Sequence, residues 1–384
     1  MFLRRPASGT ARVALVTVNL AAVTFFLLSF SQHGVRLGPY GIDLDVYRLG
    51  GHAWLRGGDL YGRLPPTAEG TRLKFTYPPI AAVLLSPFSL MPMPVAGTLL
   101  ALCTIALVAV ALRVVLRSLA GPPTGSWWAL AWLLPAAIFL EPVRNTLTYG
   151  QINVVLMALV MLDCLAGTPR WPRGALVGLA AAVKLTPAAF VLFFLLRRDY
   201  RAATAAGVSF LAITGIGFVL AWHDSAGYWT GIVFETGRIG RPGYAADQSL
   251  QAVLTRAGLD PRTPEGMAVW LALSAAVLAV AAQGMRHALA ASENCLALSL
   301  NALAALLISP ISWSHHWVWC VPAVLTLAAL SRRYPARLRL VLAVCGLLVW
   351  KTMLVQYVTE SCQASSRPKP VATAKEIPAR PAAR

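Results

Sequence analysis

The chain has 384 residues, 57% hydrophobic and only 12% charged, with a mean hydropathy of +0.64. A soluble protein carries about twice that charged fraction, so the composition excludes an ordinary cytosolic domain and points to a polytopic helical membrane protein. The net charge of +18 marks no nucleic-acid partner, because the basic residues form neither a single patch nor a recognised binding motif. A β-barrel is excluded by the absence of short alternating segments.

The basic residues gather at the ends of apolar runs: Arg4, Arg5 and Arg12 before the first, Arg197, Arg198 and Arg201 midway, and Arg332, Arg333, Arg337 and Arg339 late. Such clusters orient helices with the positive side inward and sit well beside anionic headgroups of membrane lipids. The six cysteines, Cys103, Cys164, Cys295, Cys320, Cys345 and Cys362, show no metal or redox spacing and read as small core residues.

In chain order, basic residues 1–12 are expected in the cytoplasm. Val13–Ser31 follows as a retained first span about 28 Å long, without a small-residue cleavage site. A polar loop, 32–76, comes next. Within it Asp43–Leu55 is predicted as a short interfacial helix, with Asp43 as its N-cap and Gly57-Gly58 ending it. Pro78-Pro79 opens a short apolar segment, 78–91, because the first-turn N–H groups of a helix need no partner. Further apolar segments are 95–116, 127–140 (closed by Glu141-Pro142), 147–165 and 174–196, the last with Lys184-Leu185-Thr186-Pro187 in its middle. A span over 202–222 leads into a second long loop, 223–265, rich in aromatic residues. Spans over 266–284, 294–309, 316–331 and 338–357 complete a membrane domain of residues 1–357. The Ala-, Pro- and Arg-rich residues 358–384 read as a disordered basic tail.

Counting each segment as a crossing gives about eleven transmembrane helices. With the N-terminus inside, both long loops and the Ser309–Trp317 turn reach the outer face, and the Arg197–Arg201 and Arg332–Arg339 clusters reach the inner one. Arg113, Arg117 and the basic tail fall on the outer side, against the rule, and segments 78–91 and 127–140 are also compatible with re-entrant hairpins.

Several polar residues are candidates for chemistry. Asp43 and Asp45 point about 200° apart on a helix, so only one faces a given centre; Asp43 shares its face with Tyr47, and both carboxylates are equally readable as solvated loop residues. Lys184 lies deep in an apolar run, where a cation is costly and functional by default; a lipid phosphate is its simplest partner, and Pro187 opens the helix beside it. Glu141, Arg144, Gln151 and Asn153 surround a break between apolar segments and either line a polar cavity or cap helices. Adjacent His315 and His316 do not share a helix face and have no third ligand at metal spacing, so they read as hydrogen-bonding or interface residues rather than a zinc site. Arg238 and Arg241 fit either an anionic headgroup or a solvated turn, and Asp247-Gln248-Ser249-Leu250 reads as a capping sequence.

The ordered motifs Asp43-Leu44-Asp45-Val46-Tyr47, Gly58-Asp59-Leu60-Tyr61, Phe75-Thr76-Tyr77-Pro78-Pro79, Gly150-Gln151-Ile152-Asn153, Lys184-Leu185-Thr186-Pro187, Asp247-Gln248-Ser249-Leu250 and Ser309–His316 resemble glycosyltransferase family 87 over roughly residues 40–320. The resemblance implies the GT-C membrane fold with two long outer loops. It also implies transfer of a sugar, commonly mannose, from a polyprenyl phosphate to a lipid-linked glycan of phosphatidylinositol-mannoside or lipomannan type outside the cytoplasmic membrane. It makes Asp43 the general base and puts one of His315 and His316 at the acceptor. Asp45, Tyr47, Tyr77, Gln151, Asn153, Lys184 and Gln248 are the further expected substrate contacts. No metal or other cofactor is implied beyond the lipid-linked donor, although Asp43-x-Asp45 superficially resembles a metal-binding pair. Nearest alternatives are an arabinofuranosyltransferase using a polyprenyl-phosphate pentose and a lipid or sugar transporter.

Overall fold

The computed structural model describes residues 9–29, 40–120, 126–240 and 243–331. These lie in one compact unit, Met1–Pro335; residues 30–39 of the first loop, Arg241, Cys345, Cys362, the expected span 338–357 and the tail fall outside the described residues.

The described residues are helical, with no strand beyond a single bridge between Asp247 and Trp313. In order they form α1 (Gly9–Ser29), α2 (Ile42–Leu55), α3 (Pro79–Ser89), α4 (Met93–Ala120), α5 (Ser126–Phe139), α6 (Glu141–Tyr149), α7 (Asn153–Leu165) and α8 (Ala175–Val183). A 3-10 turn, Thr186–Phe190, leads to α9 (Val191–Leu196), α10 (Tyr200–Leu220), α11 (Trp222–Thr230), α12 (Leu250–Arg256), α13 (Pro264–Ala290) and α14 (Asn294–Ile308). A second 3-10 turn, Ser314–Trp319, runs into α15 (Cys320–Leu330).

Among the described residues three helices are long and apolar enough to cross a bilayer alone: Met93–Leu119, Tyr200–Leu220 and Pro264–Ala290. Most other apolar segments are shorter than the ~20 residues a crossing needs, because polar breaks divide the expected runs. The segment 147–165 splits at Gly150, whose φ of +68° ends α6 before α7 begins at Asn153. The segment 174–196 splits at Lys184, extended at φ −148° and ψ 124°, and resumes as the 3-10 turn over Pro187. Glu141-Pro142 ends α5 as expected but also starts α6, with proline in the first turn where its missing N–H costs nothing.

The short helix of the first loop is present as α2, with a different start. Its N-cap is Gly41, whose carbonyl accepts from the Asp45 N–H at 3.0 Å; no side chain caps it, so Asp43 is a first-turn residue free to point elsewhere. Tertiary packing selects this register: a Cβ on Gly41 would lie 2.7 Å from both the Tyr149 carbonyl oxygen and the Gly150 nitrogen, so α2 docks backbone to backbone on the end of α6. Arg48 fixes the other side of α2 by donating to the Phe88 carbonyl in the last turn of α3 and the Met91 carbonyl just after it, at 3.0 and 2.9 Å.

The α7–α8 hairpin is closed by fully buried Asp163. Its carboxylate accepts from Trp171 Nε1 and from the Gly174 and Val177 N–H groups at the start of α8, all at 2.9–3.0 Å, where a negative charge complements the helix dipole. Arg173 satisfies the last carbonyls of α7. Cys164 and Cys295 are buried as expected, whereas Cys103 is exposed on α4. Packing is closest between α8 and α10, where a Cβ on Gly178 would stand 2.2 Å from the Ala206 carbonyl oxygen. Gly178→Leu is therefore expected to separate these helices and cost about 1–3 kcal/mol, read as a lowered unfolding temperature in detergent; an unchanged temperature would refute this packing.

Candidate active site

The breaks that shorten the helices bring polar side chains into one cluster. First-turn Asp43 and Tyr47, one helical turn further on, face the same way from α2. Tyr77 comes from the residues before α3, Gln151 from the break between α6 and α7, Asn153 from the start of α7, Lys184 from the end of α8 and His316 from the second 3-10 turn.

Gln151 is the centre. Its Nε2 donates to Asp43 Oδ2 at 2.7 Å, and its Oε1 accepts from the Tyr47 and Tyr77 hydroxyls at 2.9 and 3.1 Å. The two phenolic oxygens are 3.0 Å apart, with the rings edge to face. Lys184 Nζ donates to Asn153 Oδ1 at 3.0 Å and reaches Tyr77 Oη at 3.4 Å and His316 Nε2 at 3.3 Å; it also lies 5.2 Å from the Tyr77 ring centre, within cation–π range. An ammonium has only donors, so His316 accepts through Nε2 and carries its proton on Nδ1.

Asp43 remains partly exposed. Desolvation raises its carboxyl from the ordinary 3.8 to about 6, against the opposing pull of the Gln151 hydrogen bond and the Lys184 charge. The group is thus poised to take a proton near neutral pH. Beyond Lys184 and His316 opens a narrow cleft, lined on its apolar side by Leu156, Met157, Pro187, Phe190, Leu306 and Trp319. A cation at the mouth of an apolar cleft suits a molecule with an anionic head and a hydrocarbon body.

The structure brings together Asp43, Tyr47, Tyr77, Gln151, Asn153, Lys184 and His316, but not Asp45 or Gln248. Asp45 is 5% exposed and is held by the Ala68 N–H at 2.8 Å, Tyr40 and Arg48, partners separate from those of Asp43. Gln248 donates through its backbone to the Ser312 carbonyl and through Nε2 to the Ala245 carbonyl, both at 2.8 Å. Buried His315 turns its ring edge to Tyr149, while its carbonyl accepts from Thr146 and Asn153. Of the histidine pair, His316 is the one that reaches Lys184. Among the described residues no group of three or more His, Cys, Asp or Glu side chains converges as a metal site would require.

The second loop supports the cluster through partners the sequence left unspecified. Arg238 donates to the Tyr61 carbonyl at 2.7 Å and pairs with Glu235, so it is anchored rather than loose; the Tyr61 hydroxyl in turn donates to the Tyr77 carbonyl at 2.7 Å. Ser249 caps α12 by accepting from Ala252, as the capping sequence implied. Asp247 Oδ1 instead accepts from the Ser249 and Ser312 N–H groups at 3.0 and 2.8 Å, and the Ser314 N–H donates to the Ala246 carbonyl, tying the loop to the chain that carries the histidines. Asn145 joins this region by bonding both Glu141 and Ser314.

The sequence pattern of glycosyltransferase family 87 matches residues 75–310. The chain belongs to glycosyltransferase family 87. A Mycobacterium tuberculosis protein named a polyprenol-phosphate-mannose-dependent alpha-(1-2)-phosphatidylinositol mannoside mannosyltransferase is 45% identical over 327 residues, covering 81% of this chain and 76% of the relative. A Mycolicibacterium smegmatis protein of the same name is 42% identical over 317 residues, 77% of this chain and 71% of the relative. A Mycobacterium tuberculosis pentamannoside mannosyltransferase, also named as polyprenol-phosphate-mannose-dependent, is 36% identical over 320 residues, 80% and 72% of the two chains. No solved structure matches. In this family 87 chain the matched residues include Tyr77, Gln151, Asn153, Lys184 and Gln248, whereas Asp43, Asp45, Tyr47 and the histidine pair lie outside them.

The Asp247 contacts make a test of the support. Asp247→Ala leaves two buried N–H groups without an acceptor and is expected to cost about 2–4 kcal/mol, seen as a lowered unfolding temperature. Asp247→Asn keeps one carbonyl oxygen able to accept both and should be much milder; equal losses in the two variants would contradict the contacts described.

Proposed function

We propose that this chain transfers mannose from a polyprenyl-phosphate carrier to a lipid-linked glycan of phosphatidylinositol-mannoside or lipomannan type, making an α-1,2 linkage with inversion. The observation that carries the reading is that a poised carboxylate, Asp43, and a cation, Lys184, sit in one hydrogen-bonded cluster at the mouth of an apolar cleft. The names of relatives 36–45% identical over most of the chain supply the donor and acceptor classes.

In this reading the acceptor hydroxyl attacks the anomeric carbon while Asp43 takes its proton. The bond from that carbon to the phosphate oxygen breaks, and the polyprenyl phosphate leaves with the electron pair. Lys184 and the Nδ1–H of His316 meet the charge that develops on the phosphate, and the apolar cleft takes the carrier chain. A lipid phosphate leaves readily, so no second carboxylic acid is needed, unlike glycoside hydrolysis. A β-linked donor then yields an α-mannoside. Lys184 provides the positive charge at the leaving group, and we assign no part to a metal. His316 falls on the donor side in this scheme, rather than at the acceptor as the family resemblance alone implies, and Asp45 and Gln248 act through the loops they hold.

The reading extends to a GT-C type membrane domain over residues 1–357 with about eleven spans. The loops carrying Asp43 and Arg238 then stand on the extracytoplasmic side of the cell membrane.

The test is transfer in membranes from polyprenyl-phosphomannose to mannosylated phosphatidylinositol acceptors. Asp43→Asn is expected to lose about a hundredfold or more in rate at matched expression, in line with removal of a general base. Wild-type rate should fall as pH drops through about 6, because the raised carboxyl becomes protonated there and no longer accepts. Full activity of Asp43→Asn would remove the base assignment. A wild type that uses only a pentose donor would make the chain an arabinofuranosyltransferase, and inactivity with every donor would return the transporter reading.

A further inference from the structure

The Gln151 side chain holds a position that hydrogen-bond accounting makes one-way. It is 6% exposed, and both ends of its amide are engaged. Tyr77 Oη accepts from Lys184, so its own proton goes to another acceptor, either Gln151 Oε1 at 3.1 Å or the Tyr47 hydroxyl at 3.0 Å. Tyr47 likewise sends its proton to Oε1 at 2.9 Å. With the phenol pair sending a proton to one end and an acceptor-only carboxylate at the other, the carbonyl end of the amide stays on the tyrosine side and the NH₂ end on the Asp43 side. Rotating the amide by 180° would set its carbonyl oxygen against a carboxylate oxygen and remove the acceptor shared by the two hydroxyls, a double loss in a buried site.

We infer that Gln151 is a positioning residue that fixes which oxygen of Asp43 receives the proton and insulates that carboxylate from Lys184. The inference rests on the transferase reading above. Because Nε2 occupies Oδ2, Oδ1 is left as the oxygen that takes the acceptor proton. The bonds between Lys184 and Asp43 run from ammonium to phenol to amide to carboxylate. An amide does not titrate in the working range, so no proton passes along this path. The cation and the base keep their separate charges although they share one cluster, and each remains available at its own end of the sugar.

The charged and titratable groups facing Asp43 are Tyr47 on its own helix, Tyr77 ahead of α3 and Lys184 at the end of α8, with His316 behind Lys184. Of these, Lys184 and the Gln151 amide favour the ionised carboxylate. Loss of the amide therefore raises the carboxyl further, and loss of the two hydroxyls that orient the amide acts in the same direction.

The experiment is the pH profile of kcat/KM for mannose transfer in three variants of the full chain: Gln151→Met, which keeps length without an amide, Gln151→Glu, and Tyr47→Phe combined with Tyr77→Phe. In Gln151→Met and in the double variant the acid limb should move to higher pH by about one unit, a roughly tenfold change in proton affinity, and the position of the limb is the readout whatever the height of the plateau. Gln151→Glu restores a titratable bridge and a second negative charge, and its limb should move further still. A merely structural role predicts a uniform loss with the limb unmoved, and that result in Gln151→Met and the double variant overturns the inference while leaving the transferase reading intact. If Gln151→Met does not fold, the double variant decides the matter on the same criterion. Wild-type transfer together with an active Asp43→Asn would instead remove the base assignment, and the inference with it.

Discussion

An ammonium group among apolar helices has to be partnered, and the interior of this protein is arranged around that requirement. Lys184 stands where α8 gives way to a 3-10 turn, and the broken helix lets the side chain reach a polar interior. Asn153, Tyr77 and His316 then come from three separate elements to receive it. An unpaired charge in such surroundings costs several kcal/mol. The irregular backbone at Gly150, Lys184 and Trp317 is where these side chains turn toward one another. The interruptions that make this a poor set of spanning helices make it a good cluster of convergent side chains.

The same arrangement separates charges. Asp43 faces the cluster from a loop helix docked on α6, Lys184 faces it from the end of α8, and neutral groups link the two. Burial raises the carboxyl while the amide and the distant cation restrain the rise, so the group stays ionised at neutral pH and still accepts a proton readily. On the far side of the α7–α8 hairpin, Asp163 and Arg173 make a second polar knot whose members spend their hydrogen bonds on helix ends. The contrast is instructive: the Asp163 carboxylate closes a hairpin, and the Asp43 carboxylate keeps an oxygen open.

Local rules made several elements legible from the sequence. The short helix α2 and its glycine end, the serine cap of α12 and the break before Pro187 all follow from residue type and spacing, and each is present. The family was also legible in the motifs, and Asp43, Tyr47, Tyr77, Gln151, Asn153 and Lys184, which stand in or beside them, meet in the structure. What was not legible depends on partners remote in the chain. Gly41 displaces Asp43 as the cap of α2 because Gly150 must come within contact distance. Asp45 looked as available as Asp43 until Ala68 and Arg48 were seen to occupy it. Two adjacent histidines are equivalent in a sequence, and only the direction of the 3-10 turn gives one of them to Lys184. Apolar runs were read as whole crossings, because a single polar residue in a run does not announce whether the helix bends around it or ends.

The distances along the chain between bonded residues carry one more consequence. Tyr47 and Gln151 are 104 positions apart, Asp43 and Gln151 are 108, and Lys184 and His316 are 132. The cluster draws on the chain from Asp43 to His316, so it cannot be complete in a nascent chain whose later helices are still to be inserted. Contacts of such long range close last, after the entropy of the intervening loops has been spent. Maturation of the site is therefore a checkpoint on the whole fold: a chain halted before the 314–319 turn has the carboxylate, the amide and the lysine but an unfinished cation site. A defect far from the cluster, at the α8–α10 contact for example, acts on it by delaying or preventing that last closure.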